Sequence, residues 1–292
     1  MSLIQQLNDR QHEFLSLIED ISTLYHCYPL TQKNGKQRWI EAPIHPLKTI
    51  QHELLHTLFY QFPVHTCAHG FVPYRSIITH AQNHVQQKWV FTLDLQDFFP
   101  STHRGLVESC LFPLLTPRFT PQQQQMIIDL CLLKNRLPQG AATSPYLSNL
   151  VFKSFDHTLS QWAQQYHLNY SRYADDLSFS GSYVPQDFYK QISKLVQPYK
   201  INAKKTRVYS RGTRQQVTGL VVNERVNLPR SQRRVLRAIA HQLQTKGLTS
   251  VLQNNVWTQD ELSGHIAWLA QVDPHAYQKL FQSLTNLYKK TC

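Results

Sequence analysis

The spacing of apolar and polar positions divides this chain into short helices and strands. Leu3, Ile4, Leu7, Phe14, Leu15 and Ile18 share one face of an amphipathic helix over residues 3–20. Asn34-Gly35 predicts the turn of a short basic hairpin from Lys33 to Pro43, followed by a helix from Leu47 to Tyr60. From Trp89 to Leu95 the period changes to two: Phe91, Leu93 and Leu95 lie on one face, Thr92 and Asp94 on the other, as in a half-buried strand. Helices are predicted near Leu106–Leu111 and Pro121–Leu133. A longer one carries Leu147, Leu150, Val151, Phe155, Leu159 and Trp162 at steps of three or four. Pro138, Gly140 and Pro145 mark the loop that leads into it.

The run LNYSRYADDLSFSG, from Leu168 to Gly181, sets an acidic pair between two apolar stretches, so a hairpin is expected with Asp175 and Asp176 at its turn. A helix over Gln186–Val196 and strands over Arg207–Tyr209, Gln216–Val222 and Val226–Leu228 complete an α+β body spanning residues 1–228. The remaining residues, 229–292, read as a mostly helical, basic subdomain. Its arginines Arg230, Arg233, Arg234 and Arg237 suit contact with phosphates, or a solvated helix face.

Composition narrows the classes of function. At 292 residues and 41% hydrophobic content the chain can close a substantial core without disulfides, which excludes disordered and small cystine-stapled classes. Thirty Lys and Arg against 18 Asp and Glu give +12, a field that attracts polyanions, nucleic acid first and an anionic membrane second. No run approaches the ~20 apolar residues of a membrane span, and the first residues lack an apolar signal core. Cys27, Cys67, Cys110, Cys131 and Cys292 are odd in number and form no C-x-x-C pair, which fits a reducing compartment, the cytoplasm.

Two constellations carry candidate chemistry. Adjacent carboxylates at Asp175 and Asp176 repel each other and lose hydration near a packed surface unless a cation compensates them, and Asp94 adds a third from another strand. Oxygen-only ligation suits Mg2+; the structural alternative is a solvated turn. In LPQGAATSPYLSNL, Gln139 and Gly140 precede a helix whose first amides can face an anion or a base, although Thr143 or Ser144 before Pro145 is also an ordinary helix start.

Taken in order, FTLDLQDFFPS, LPQGAATSPYLSNL, YADDLSFSG and VTGL resemble the successive motifs of a bacterial reverse transcriptase, and the likeness extends back through AHGFVPYRSI and RWIEAPIHPLKTIQ to cover about residues 36–222. The resemblance implies a right-hand polymerase fold, with fingers and palm in residues 1–228 and a basic helical thumb in 229–292. It assigns Asp94, Asp175 and Asp176 as catalytic carboxylates that hold two Mg2+ ions together with the Leu95 carbonyl. One ion would lower the pKa of the attacking primer hydroxyl and the other would stabilise the departing pyrophosphate.

By the same resemblance, Phe99 is the aromatic gate against a ribose 2′-OH, Gln139 helps hold the incoming nucleotide, and Arg38 reaches its triphosphate. Of the two lysines in INAKKT, Lys204 is favoured over Lys205 as the active-site lysine. Val217, Thr218 and Gly219 support the primer end; on structural grounds alone they are a strand with a glycine kink. The VTG triplet and compact length are similar to retron enzymes, while the QG-x-x-x-SP spacing argues against the diversity-generating branch. Two departures stand out: HAQNH at residues 80–84, where the family has Asn in place of His80, and Tyr74, where it has Gly.

A retron enzyme implies dNTP substrates, a dedicated structured non-coding RNA as template and primer source, initiation at a guanosine 2′-OH, and a branched RNA–DNA product. It further implies a role in phage defence with an accompanying effector protein. An intron-derived or CRISPR-associated reverse transcriptase is the alternative within the class. Outside it stand a noncatalytic nucleic-acid-binding module, against which the three intact carboxylates argue, and a zinc peptidase. The last rests on His52-Glu53-Leu54-Leu55-His56, an H-E-x-x-H with no third ligand at ordinary spacing.

Overall fold

The computed structural model describes residues 11–32, 35, 37–254 and 258–288. Leu3, Ile4 and Leu7 of the predicted first helix, Lys33 and Asn34 of the predicted hairpin, and Cys292 lie outside the described residues. Helix α1 covers Gln11–Glu19. The predicted hairpin is longer than expected, because β2 (Gln37–Pro43) pairs along its whole length with β1 (Tyr25–Thr31), from Tyr25 opposite Pro43 to Thr31 opposite Gln37. Only Tyr25 of β1 is buried, so this strand carries no alternation for a sequence reading to detect.

The elements around the carboxylates follow the pattern closely. Helix α2 (Leu47–Thr57) leads to a short α3 (Ile77–Gln82) and then to β3 (Trp89–Gln96), with Phe91, Leu93 and Leu95 buried on its apolar face. A single helical turn, α4 (Phe98–Ser101), precedes α5 (Arg104–Leu115) and α6 (Pro121–Asp129), whose start carries a reciprocal capping box between Thr120 and Gln123. The long α7 (Ser144–Gln165) buries Leu147, Leu150, Val151, Leu159 and Trp162 on the expected stripe.

Strands β4 (Asn169–Tyr173) and β5 (Asp176–Gly181) are joined by Ala174 and Asp175 alone. After α8 (Phe188–Leu195), β6 (Lys200–Ile201) completes the sheet order β4-β5-β3-β6, with Leu95 opposite Ile201 in antiparallel register. Helix α7 covers the sheet: Phe152, Leu159 and Trp162 join Phe91, Leu93, Leu177 and Phe179 in one core.

One correction concerns the region after β7 (Arg207–Ser210). The expected strand over Gln216–Val222 is a tight hairpin, β8 (Gln216–Val217) against β9 (Leu220–Val221), because Thr218 and Gly219 both take positive φ, +44° and +83°. Two such residues form the two-residue loop whose twist matches that of its strands.

The chain forms two compact units. The first unit comprises the described parts of residues 1–76, 91–179 and 184–207, and the second those of 77–90, 180–183 and 208–292. The reason is packing: Val217, Leu220, Val222, Val226 and Leu228 share a core with Leu236, Ile239, Ala240 and Leu243. Those last four lie on α9 (Arg230–Asn254), which is followed by α10 (Gln259–Val272) and α11 (Pro274–Tyr288). No helix of the described residues is long and apolar enough to cross a membrane.

Candidate active site

The first unit contains a cavity of about 610 Å³ into which the ends of β2 and β3, the β4–β5 turn and the loop before α7 all open. Asp94 and Asp175 line it together with Arg38, Phe99, Gln139 and Lys205. Asp176, half-buried as the first residue of β5, lies beside this lining rather than in it. Sheet pairing brings the carboxylates together: the Leu95 amide donates to the Asp175 carbonyl at 2.9 Å, and the Asn202 amide to the Asp94 carbonyl at 2.8 Å.

The lysine at the carboxylates is Lys205 and not Lys204. Its Nζ lies 2.8 Å from Asp94 Oδ2, whereas Lys204 is exposed and only its carbonyl is engaged, by Arg207. Two adjacent lysines in the turn after β6 point different ways, and composition cannot say which one faces the cavity. Burial opposes the Lys205 ammonium, but the hydrogen bond and charge of Asp94 outweigh it and hold the group protonated.

Burial raises the Asp175 carboxyl above its ordinary range, Asp94 adds repulsion, and a backbone hydrogen bond, Lys205 and Arg38 act the other way. The Asp176 carboxyl is pushed up to about 7 by burial and then by the charges of Asp175 and Asp94. Carboxylates raised by desolvation and mutual repulsion lack positive charge, and the all-oxygen donor set fits a hard divalent cation. Among the described residues no group of three or more His, Cys, Asp or Glu side chains is placed to hold a metal by itself. The fit is therefore to an ion that keeps water and substrate phosphates among its ligands, as Mg2+ does.

Several contributors escaped the sequence reading. Glu41, buried on β2, takes both guanidinium nitrogens of Arg136 at 2.6 and 2.9 Å, and its amide donates to the Gln139 carbonyl at 2.8 Å. This ties the strand bearing Arg38 to the loop bearing Gln139. Gly140 has φ +139°, and a Cβ there would meet the Glu41 carbonyl at 2.8 Å, so no other residue closes this junction. Phe71, also at the cavity, holds its ring 6.0 Å from that of Phe99. The side chain of Thr143 makes no capping bond at the start of α7.

In the second unit, Val217 is buried and Thr218-Gly219 forms the hairpin loop. Arg230, Arg234 and Arg237 are exposed on α9, whereas Arg233, one turn before the buried Leu236, is half-buried. His52 and His56 are exposed on α2, their rings stacked 6.5 Å apart, while Leu54 and Leu55 between them are buried.

Comparison with known proteins shows the family. Residues 30–223 match the family model described as reverse transcriptase (RNA-dependent DNA polymerase). The retron Mx65 reverse transcriptase of Myxococcus xanthus is 37% identical over 75% of this chain and 56% of its own, and the retron Mx162 enzyme of the same organism 32% identical over 92% and 62%. The retron Ec73 reverse transcriptase of Escherichia coli is 32% identical over 90% of both chains. The chain belongs to the reverse transcriptase family, and within it to the retron reverse transcriptases. It spans little more than half the length of the two Myxococcus relatives.

Proposed function

We propose that this chain is the RNA-directed DNA polymerase of a retron. The observation that carries the reading is one cavity in which Asp94 and Asp175 face Arg38, Phe99, Gln139 and Lys205. Asp94, Asp175 and Asp176, with the Leu95 carbonyl, would hold two Mg2+ ions. Bound there, the metal would make a primer hydroxyl easier to deprotonate and shield the charge of the leaving pyrophosphate. Arg38 and Lys205 supply positive charge for the triphosphate of a dNTP, and Gln139, fixed through Glu41, orients the nucleotide.

Phe99 closes the position of a 2′-OH. Phe99→Ala is expected to lower discrimination against ribonucleotides about tenfold in competitive incorporation; unchanged discrimination would count against the gate. Lys205→Ala is expected to lower dNTP incorporation about tenfold or more and Lys204→Ala less than about twofold, measured at steady state; equal effects would refute the distinction.

Fingers and palm are assigned to residues up to 228 and the thumb to 229–292, with Val217, Thr218 and Gly219 at the primer end. The exposed arginines of α9 suit backbone contacts to a structured non-coding RNA and to the RNA–DNA hybrid copied from it. On the same reading the chain works in the cytoplasm, primes from an RNA 2′-OH to give a branched product, and serves phage defence with an effector protein. The test is primer extension: purified protein with a primed RNA template, dNTPs and Mg2+ should make DNA, and no product under any divalent cation would overturn the polymerase reading.

A further inference from the structure

Arg172 is the largest fully buried side chain of the described residues, two positions before the β4–β5 turn. Its guanidinium is held bidentately by Asp156 of α7, Nε to Oδ1 at 2.9 Å and Nη2 to Oδ2 at 2.7 Å, with both side chains fully buried. The Tyr170 hydroxyl donates to the same carboxylate at 2.8 Å. A buried ion pair of this kind is commonly no more stabilising than apolar residues of equal volume, so stability alone does not account for it.

The remaining nitrogen does something an apolar replacement could not. Nη1 donates to the Ala174 carbonyl at 2.9 Å, and Ala174, at φ +55°, holds the left-handed conformation that starts the Asp175-Asp176 turn. A non-glycine residue is strained in that conformation and keeps it only where its surroundings hold it. On its other side the guanidinium lies over the Phe152 ring at 4.7 Å and near the Phe98 ring at 5.9 Å.

Phe98 begins α4, the single turn that carries Phe99. That turn has no side-chain cap at Asp97; the buried Thr102 hydroxyl donates to the Phe98 carbonyl at 2.9 Å, and packing adds to this, with Phe98 meeting Phe152 and Tyr199 at 5.6 and 5.7 Å. One planar group therefore touches both the turn that bears two carboxylates and the floor of the sugar gate.

We propose that Arg172 is a positioning residue that holds the carboxylate turn and the Phe99 gate in one geometry, so that metal-dependent turnover and sugar selection depend on it together. The inference rests on the polymerase reading above. A lysine keeps the charge, but its single nitrogen cannot make the two-pronged Asp156 contact, reach Ala174 and stack as a plane on two rings.

The test compares Arg172→Lys with Leu111→Ala, a cavity-forming change at a buried residue in the other core of this unit, as the control for lost stability. With both proteins folded at the assay temperature, Arg172→Lys should lower kcat for DNA synthesis about 100-fold with the dNTP KM within about threefold, and lower deoxy-over-ribo discrimination about tenfold. Leu111→Ala should move neither. A kcat loss in Arg172→Lys no larger than that of the control, or unchanged discrimination, overturns the proposal. If Arg172→Lys does not fold, Phe98→Leu decides: reduced discrimination supports the link from guanidinium to gate, and wild-type discrimination refutes it. Wild-type protein that makes no DNA would overturn the polymerase reading and this inference with it, whereas active wild type with an unremarkable Arg172→Lys sinks the inference alone.

Discussion

The double variant Asp175→Asn, Asp176→Asn is expected to lose DNA synthesis by at least about 10³-fold while staying folded and retaining RNA. Asparagine keeps the shape of each side chain and removes the charge that a divalent cation needs. The same variant carries a stability signature that does not depend on activity. The Asp176 carboxyl titrates near 7 in the folded protein, against an ordinary 3.8, because burial and the charges of Asp175 and Asp94 oppose ionisation.

For a group raised in this way, the unfolded chain ionises first as pH rises. The neutral group costs nothing below about pH 4, and the penalty of burying its charge grows until pH passes about 7. In metal-free buffer the variant should therefore be more stable than wild type at pH 8, by on the order of 4 kcal/mol, and the gap should close toward pH 4. Thermal melts in a chelator across pH 4–8.5 check this; a gap that does not change with pH would contradict the assigned environment, and an active double variant would sink the metal assignment.

Gly70→Ala is expected to be nearly as damaging, although Gly70 touches no substrate on this account. A Cβ there would sit 2.5 Å from the Ala174 amide nitrogen, 3.2 Å from the Tyr173 carbonyl carbon and 3.3 Å from the Ala174 Cα, all of them backbone atoms. Neither side can easily yield. The Gly70 carbonyl accepts the Asn149 side chain at 2.7 Å, the His69 amide donates to the Arg172 carbonyl at 2.7 Å, and Ala174 is already left-handed. The turn must move, and a displacement of about 1 Å at the carboxylates costs about 100-fold in rate. Stability should fall by about 1–3 kcal/mol, as in other overpacked sites. Gly264→Ala, at a helical position with nothing within 4 Å, is the comparison and should leave synthesis unchanged. Primer extension and thermal melts on both variants check the pair; full activity in Gly70→Ala would show that the turn is not so tightly held.

The parts of the site that alternate or repeat were legible in the sequence. Period two exposes β3 and sets Asp94 on its polar face. An acidic pair between apolar runs marks the β4–β5 turn, and steps of three and four mark α7. The residues that escaped have no period. β1 is exposed almost throughout; Lys204 and Lys205 differ only in how a turn aims them; and Thr218-Gly219 bends what looked like one strand into a hairpin.

Asp156 is different, because its signal was present. It falls in the stripe formed by Phe152, Leu159 and Ala163, where a carboxylate is out of place unless a buried cation meets it. Arg172, which meets it, lies in another element, and a single sequence does not say which polar residues find each other. The boundary expected at residue 228 has a related feature. The change from strands to helices is visible there, but the apolar side chains on both sides of it pack into one core.

On the proposed function, this chain copies a dedicated RNA into DNA. The most direct measurement is to express the gene with its native flanking DNA, extract nucleic acid, digest it with RNase and separate the remainder on a denaturing gel. A discrete short DNA is expected, and it should be missing when Asp175 and Asp176 are both replaced by Asn. No such DNA, together with no synthesis by the purified protein on a primed RNA template, would contradict that function.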